Sequence, residues 1–355
     1  MLGYTLTIFT LQLIIRKGVR MQHEQNGNLN NDFRTCLSHL MTTGIIARPR
    51  GTVTREHLNY NISLRDPRNR IINFPDRKTN LKYLLGEFIW YVSGSSDPTG
   101  ILPYAKFWDT IRNKHQSTYY PAGTVNSNYG NRLFGHSELP AFMSLKDSTL
   151  ANQKPINQWQ EAVEMLKADK DTRQAIMNIH VPTDRHEGNK DVPCTLTLHW
   201  FIRDNKLSVI VNMRSNDVVL GFTNDVFQFT MLQECMVMAL RTVYPDLELG
   251  FYYHNAGSMH IYNQHFEMAG KIIADGRLLE ISMVPMDAFN DDILTGLVGV
   301  EAAWRADGAN ADFKFSAVGA WSLLTPYWQN LVLMCFAEDD DAMHDVFGLD
   351  PEHGA

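Results

Sequence analysis

Polar and apolar residues alternate from Leu207 to Arg214. Leu207, Val209, Val211 and Met213 fall on one side, and Ser208, Ile210, Asn212 and Arg214 on the other, the period of a half-buried strand. A second strand-like run, Thr195 to Arg203, precedes it, and Asp204-Asn205 between them predicts a hairpin. Elsewhere the period lengthens to that of a helix. After a polar break at Asn26 to Asn30, Asp32 to Thr43 places Phe33, Cys36, Leu37 and Leu40 on one face. Asn80 to Ser93 predicts a strongly apolar helix and Ile156 to Lys167 an amphipathic one. Thr223 is expected to cap a long helix to about Arg241, burying Phe229, Leu232, Met236 and Leu240. Strands are expected at Ala175 to Val181 and Leu247 to Tyr253, with Gly257 to Tyr262 leading into a further helix. Leu64 to Pro75 reads as largely irregular, with room for one short strand. Residues 112 to 156 suggest long loops, interrupted by Ser127 to Gly135 (SNYGNRLFG). Asp287 to Ala306 and Pro326 to Glu338 predict helices, and the acidic run Glu338 to Asp341 reads as a solvated cap.

The chain has 355 residues, 44% of them hydrophobic, ample for a large core. Residues 1–31 are expected to be a strand or a leader before a second methionine at Met21. Their apolar run, residues 2–15, is too short to span a membrane, and its basic residues follow rather than precede it. Residues 32–280 are expected to form the catalytic domain and 281–355 a helical extension. A net charge of −7 with no long basic run disfavours a nucleic-acid groove, while a local anion site remains open. Cys36, Cys194, Cys235 and Cys335 are widely spaced, without a CxxC pair. That fits a reducing, cytoplasmic setting and predicts neither a disulfide framework nor a metal site. There is no internal repeat and no glycine-rich nucleotide fingerprint.

Chemistry concentrates between Pro193 and Asp225. In the expected hairpin, Arg214 returns beside Cys194, and a guanidinium near a thiol favours the reactive thiolate. Arg214 and Ser215 also suit a phosphate, as a forked donor and a hydroxyl. Ala47 to Thr54 (ARPRGTVT) reads either as an exposed basic turn or as a loop closing on an anion. Glu87 lies inside an apolar helix, where a carboxylate is costly unless paired or functional. Its pKa is expected to be raised, which suits proton transfer. Asp225 alone would read as a helix N-terminal charge.

The ordered set GEFIW, FWD, NYG, PC(x)19RSND(x)3GF(x)2D and HIY, from about Asp32 to Ile272, resembles the thymidylate synthase superfamily. The resemblance implies an α/β (α+β) fold, a twisted mixed sheet flanked by helices, and a homodimer packed sheet to sheet. It implies a one-carbon transferase that uses 5,10-methylenetetrahydrofolate and acts on C5 of a pyrimidine nucleoside monophosphate. By motif position, Cys194 is the nucleophile that adds to C6 and Glu87 orders water and moves protons. Arg214, Ser215 and Arg50 (or Arg48) bind phosphate. Arg173 matches an arginine donated across the dimer interface, with Gln174 where a second arginine is usual. His260 and Tyr262 match the pair on the deoxyribose hydroxyl, Tyr129 an active-site tyrosine, and Trp108, Asp217 and Glu87 folate-facing positions.

Asp225 stands where thymidylate synthases carry the asparagine that reads uracil. A protonated aspartate offers O–H to N3 and C=O to the amino group of cytosine, and an ionised one would pair with N3-protonated cytosine. A slip of one residue would put Asn224 there instead; the spacing from Gly221 favours Asp225. The PRG of the basic loop resembles the deoxycytidylate hydroxymethylase branch, typically encoded by bacteriophages. That branch implies dCMP as substrate and water as the last reactant. Thymidylate synthases end in a short apolar tail that closes over folate; this sequence ends DPEHGA, and Thr195 follows the cysteine where histidine is common. The rival readings are C5 methylation of dCMP or dUMP, dUMP hydroxymethylation, and a non-enzymatic scaffold on the same fold.

Overall fold

The computed structural model describes residues 27–95, 97–112, 122–135, 157–185, 189–277 and 281–349. Most of the expected leader, much of the 112–156 stretch and the last six residues lie outside them. Helix α1 (Leu29–Thr43) starts earlier than its apolar period suggests. Asn28, from the polar break, accepts from the backbone N–H groups of Asn30 (2.9 Å) and Asn31 (3.2 Å), and this cap recruits the preceding turn. The boundary expected at residue 31 therefore falls inside α1.

The described strands form one mixed sheet in the order β1-β2-β7-β5-β4-β3, with β6 beside β7. Its members are β1 (Ile45–Ala47), β2 (Thr54–Leu64), β3 (Ile176–Asn178), β4 (Thr195–Arg203), β5 (Lys206–Met213), β6 (Asn216–Asp217) and β7 (Glu248–Tyr262). Strands β4 and β5 form the expected hairpin, and Asp204 and Asn205 both take left-handed φ (49° and 57°), as a tight two-residue turn requires. β2 occupies a stretch for which no element was expected, ending where the irregular run from Leu64 begins. β7 is twice the expected length: it runs through Gly257 to Tyr262, pairing antiparallel with β2 and parallel with β5 and β6. A Cβ at Gly257 would lie 2.8 Å from the Arg214 carbonyl oxygen, so glycine permits this close approach.

The helices are α2 (Leu81–Val92), α3 (Phe107–Ile111), α4 (Tyr129–Phe134), α5 (Gln158–Ala168), α6 (Gly221–Leu240), α7 (Phe266–Ala274), α8 (Asp291–Ala306), α9 (Pro326–Val332) and α10 (Asp340–Phe347). Thr223 does not cap α6, which begins two residues earlier. Its hydroxyl donates to the Val219 carbonyl (3.0 Å) and accepts from Arg77 (2.6 Å), so it serves a buried polar contact. α6 is buried along most of its length and packs against β5, β7 and α2.

The segment from 281 onward is stitched to this core. Asn69 donates to the Ile281 carbonyl (3.0 Å), and the Met286 N–H donates to Glu234 (2.9 Å), whose other oxygen holds the fully buried Arg70 (2.5 Å). Phe88 of α2 stacks on Trp328 of α9 at 5.9 Å and meets Phe289 edge-on at 6.4 Å. The acidic run is not simply a solvated cap. Asp339 caps α10 through the Ala342 N–H (2.8 Å), and Glu338 pairs with Lys82 (2.8 Å). Among the described residues no helix is long and apolar enough to cross a membrane.

Candidate active site

A cavity of about 800 Å³ opens where the ends of β2, β5 and β7 meet. Arg50, Arg214, Ser215, His260 and Tyr262 line it, five of the residues expected on sequence grounds. Arg50, rather than Arg48, lines this cavity. It lies in the turn between β1 and β2 with a left-handed φ of 50°, a conformation that costs a non-glycine residue about 1 kcal/mol and so marks an imposed position. His260 and Tyr262 are set by β7 register, opposite Glu56 and Thr54. Arg185 and Lys190 also line the cavity and were missed on sequence; basic residues in a charged loop carry no distinguishing pattern. Arg173 is exposed and does not line the cavity of its own chain.

Cys194 adjoins the cavity through Arg214. The Arg214 N–H donates to the Cys194 carbonyl (2.9 Å), and its guanidinium donates to the carbonyls of Pro193 (2.9 Å) and Val192 (2.8 Å), leaving Nη2 3.5 Å from the thiol Sγ. The hairpin thus does what its sequence predicted. Arg214 favours the thiolate, as expected, but burial opposes it. Burial pushes the Cys194 thiol up, and Arg214, the largest opposing influence, only partly offsets it.

Tyr129, at the start of α4, accepts at its hydroxyl from the backbone N–H groups of Cys194 (3.1 Å) and Thr195 (3.2 Å). It fixes the backbone at Cys194 rather than reaching open space. Burial holds its own phenol well above the ordinary range. Arg132 on the same helix pairs with buried Asp184 (2.6 Å) and donates to the carbonyl of Ile179 (2.5 Å), tying down the segment that precedes the cysteine. Sequence gave no sign of that second role of the NYGNR motif.

Two buried carboxyl groups, Glu87 and Asp225, interact with each other, and Asp225 with the thiol. Glu87 on α2 is buried, and burial pushes it up to about 8. Tyr83 donates to its Oε1 (2.7 Å) and Gln228 to its Oε2 (3.1 Å), both opposing the shift, while Asp225 adds to it. Asp225 is the fifth residue of α6, just past its first turn, and burial pushes it up to about 7. Its Oδ2 accepts from the Asn216 amide at 2.6 Å. Asp225 also raises the Cys194 thiol, so the two groups interact. Asp225 thus interacts with both Cys194 and Glu87.

Trp108 on α3 is buried edge-on to Trp90 (5.3 Å) and interacts with the Tyr83 hydroxyl. Asp217 Oδ1 accepts from the N–H groups of Val219 (2.9 Å) and Leu220 (2.6 Å), while its Oδ2 is buried without a partner among the described residues. The buried Asp217 Oδ2 is an acceptor left for a ligand N–H group. Among the described residues no group of three or more His, Cys, Asp or Glu could hold a metal ion.

The chain belongs to the thymidylate synthase family, whose model matches residues 31–284. It is 31% identical over 234 residues to a deoxyuridylate hydroxymethyltransferase of Bacillus phage SP01, a match covering 65% of this chain and 56% of that protein. It is 31% identical over 196 residues to a deoxycytidylate 5-hydroxymethyltransferase of Enterobacteria phage T6, covering 53% of this chain and 69% of that one. The chain thus spans little more than half of the first of these relatives. Among solved structures, the thermostable thymidylate synthase A from Bacillus subtilis shares the fold, with a TM-score of 0.56 at 19% identity, covering 72% of this chain and 87% of that one.

Proposed function

We propose that the protein hydroxymethylates dCMP at C5, using 5,10-methylenetetrahydrofolate and water. The observation that carries this reading is Asp225. It is a buried carboxyl group pushed up to about 7 that interacts with the Cys194 thiol and with Glu87, and that thiol adjoins, through Arg214, a cavity lined with cations. A neutral carboxyl both donates and accepts, matching N3 and the 4-amino group of cytosine, whereas uracil presents the opposite pattern. A mismatched base would leave buried polar groups unpaired, which costs several powers of ten in selectivity.

In this reading Arg50, Arg214 and Ser215 hold the phosphate, and His260 and Tyr262 the deoxyribose. The Cys194 thiol loses its proton and adds to C6, making C5 a carbon nucleophile. Methylenetetrahydrofolate supplies the one-carbon unit when bound, with Trp108 and Asp217 as its contacts. Glu87, protonated at neutral pH, takes part in moving the protons between C5, the base and water. Water adds to the exocyclic methylene left on the nucleotide, and elimination of Cys194 from C6 frees 5-hydroxymethyl-dCMP. Arg173 would complete the phosphate clamp of the other subunit in a homodimer. Supporting that pairing, the outer sheet face carries exposed Leu58, Ile176 and Phe251 beside the half-exposed ladder Thr197, Asn212 and Asn255. Residues 32–280 would form the catalytic domain and 281–355 an extension behind α2, in a cytoplasmic enzyme.

A second reading, hydroxymethylation of dUMP, is favoured by the resemblance to the phage SP01 protein at the same identity. Mass spectrometry of the products from dCMP and from dUMP, each with methylenetetrahydrofolate, separates the two. Hydroxymethyl-dCMP is expected. A methylated product, with near-ultraviolet absorbance rising as dihydrofolate forms, would instead place the protein with the methylases.

A further inference from the structure

Asn216 has no role in the reading above, yet it makes a hydrogen bond to the carboxyl group on which that reading rests. It is 3% exposed, in the two-residue strand β6. Its register is fixed by pairing with Met259 of β7, and its neighbours Ser215 and Asp217 serve the site on either side. The side-chain Nδ2 donates to Asp225 Oδ2 at 2.6 Å, while its Oδ1 is buried without a partner among the described residues. The space for this contact depends on Gly221, where a Cβ would come within 3.1 Å of Asn216 Nδ2 and 3.6 Å of Asp225 Oδ2.

An amide that donates to one carboxyl oxygen occupies a lone pair of that oxygen. A single proton on the carboxyl group then sits on the other oxygen. We infer that Asn216 is a positioning residue for base recognition, holding Asp225 with Oδ2 as acceptor and Oδ1 as the proton-bearing oxygen. Oδ1–H is thereby left to meet N3 of cytosine, and Oδ2 to accept from the 4-amino group. The inference rests on the cytosine reading. The direction of the amide is what matters: with asparagine at 225, the same residue could turn its free Oδ1 toward an N–H and favour the opposite pattern.

The titratable groups around Asp225 are Tyr83, Glu87 and Tyr91 on α2, Tyr129 on α4, Tyr252 on β7, and Cys194. Glu87 and Asp225 interact, so the pKa governing the ratio of the two substrates' kcat/KM values belongs to the pair. The role of Asn216, which bonds Asp225 alone, is read from the shift of that pKa between parent and variant.

The test is tritium release from 5-tritiated dCMP and dUMP, with methylenetetrahydrofolate, between about pH 6 and 9. Parent protein, Asn216→Ala, Asp225→Asn and the double variant are compared. Losing one hydrogen bond predicts that Asn216→Ala lowers the dCMP-to-dUMP ratio about tenfold. Because the Asn216 bond lowers the Asp225 pKa, its removal should also move the pKa governing that ratio upward. In the Asp225→Asn background, Asn216→Ala should no longer cost dCMP selectivity. An equal fall for both substrates with an unmoved pKa overturns the assignment, since a merely structural role would give that result. If Asn216→Ala melts below the assay temperature, Asn216→Leu keeps much of the shape, removes the donor and must show the same loss of ratio. A parent protein with no preference for dCMP refutes the cytosine reading itself. Asn216 is then judged by the pKa shift alone, and its absence overturns the positioning role.

Discussion

Glu87→Gln should stabilise the protein, by an amount that depends on pH. Burial raises the folded-state pKa of Glu87 from 4.5 to about 8, while the unfolded chain keeps the ordinary value. Between those two values the folded state binds more protons than the unfolded one, so the parent loses stability as pH rises. The loss is complete above the folded pKa and absent below the unfolded one. A gap of roughly 3.5 units at 1.36 kcal/mol each gives about 5 kcal/mol above pH 8 and about 3 kcal/mol at pH 7. Glutamine carries no such penalty. It can accept from Tyr83, and Gln228, whose Oε1 is buried without a partner among the described residues, can turn its amide to accept from the new N–H group. Urea midpoints of parent and variant at about pH 4, 7 and 9 measure the difference. The two should nearly coincide in acid and diverge toward alkali, with turnover of the variant severely reduced throughout. A gap that is constant with pH, or that widens toward acid, would refute the reasoning.

Tyr129→Phe should leave the N–H groups of Cys194 and Thr195 without their acceptor, costing about 1–3 kcal/mol of stability and lowering kcat more than it raises KM. Denaturant titration and steady-state kinetics check both halves; unchanged kcat would remove Tyr129 from the site. Trp328→Ala empties the stack on Phe88 and should cost about 3–5 kcal/mol. Activity should fall at temperatures where the variant remains folded, because α2 carries Glu87 one residue away.

The hairpin of β4 and β5 was legible because alternation and an Asp-Asn turn agree with each other, as local and global preferences do in well-specified elements. β2 was not. Arg55, Glu56, His57 and Asn59 fill its first half with polar residues, since one side faces the cavity and its neighbour β1 is only three residues long. β7 was cut short because Gly257 interrupts its pattern, at a point where the Arg214 backbone comes too close for a side chain. Within the site, Arg214, Ser215 and His260 could be placed from motif order. The state of Cys194 could not, because proximity to Arg214 is readable in a hairpin while the competing burial is not. Asn216 gave no signal for a related reason: an asparagine in a turn is ordinary until its partner nine positions later is seen to face it.

The pairing of Thr54 with Tyr262 also bears on how the protein is made. It closes a loop of more than half the chain around the cavity, and closing long loops before any contact rewards them slows folding. Helices α2 and α6 and the β4–β5 hairpin can each form from neighbouring residues. Arg50 and Tyr262 meet only when the far ends of the central chain are joined. On dilution from denaturant, catalysis should therefore be the last signal to return, after helical content has already recovered.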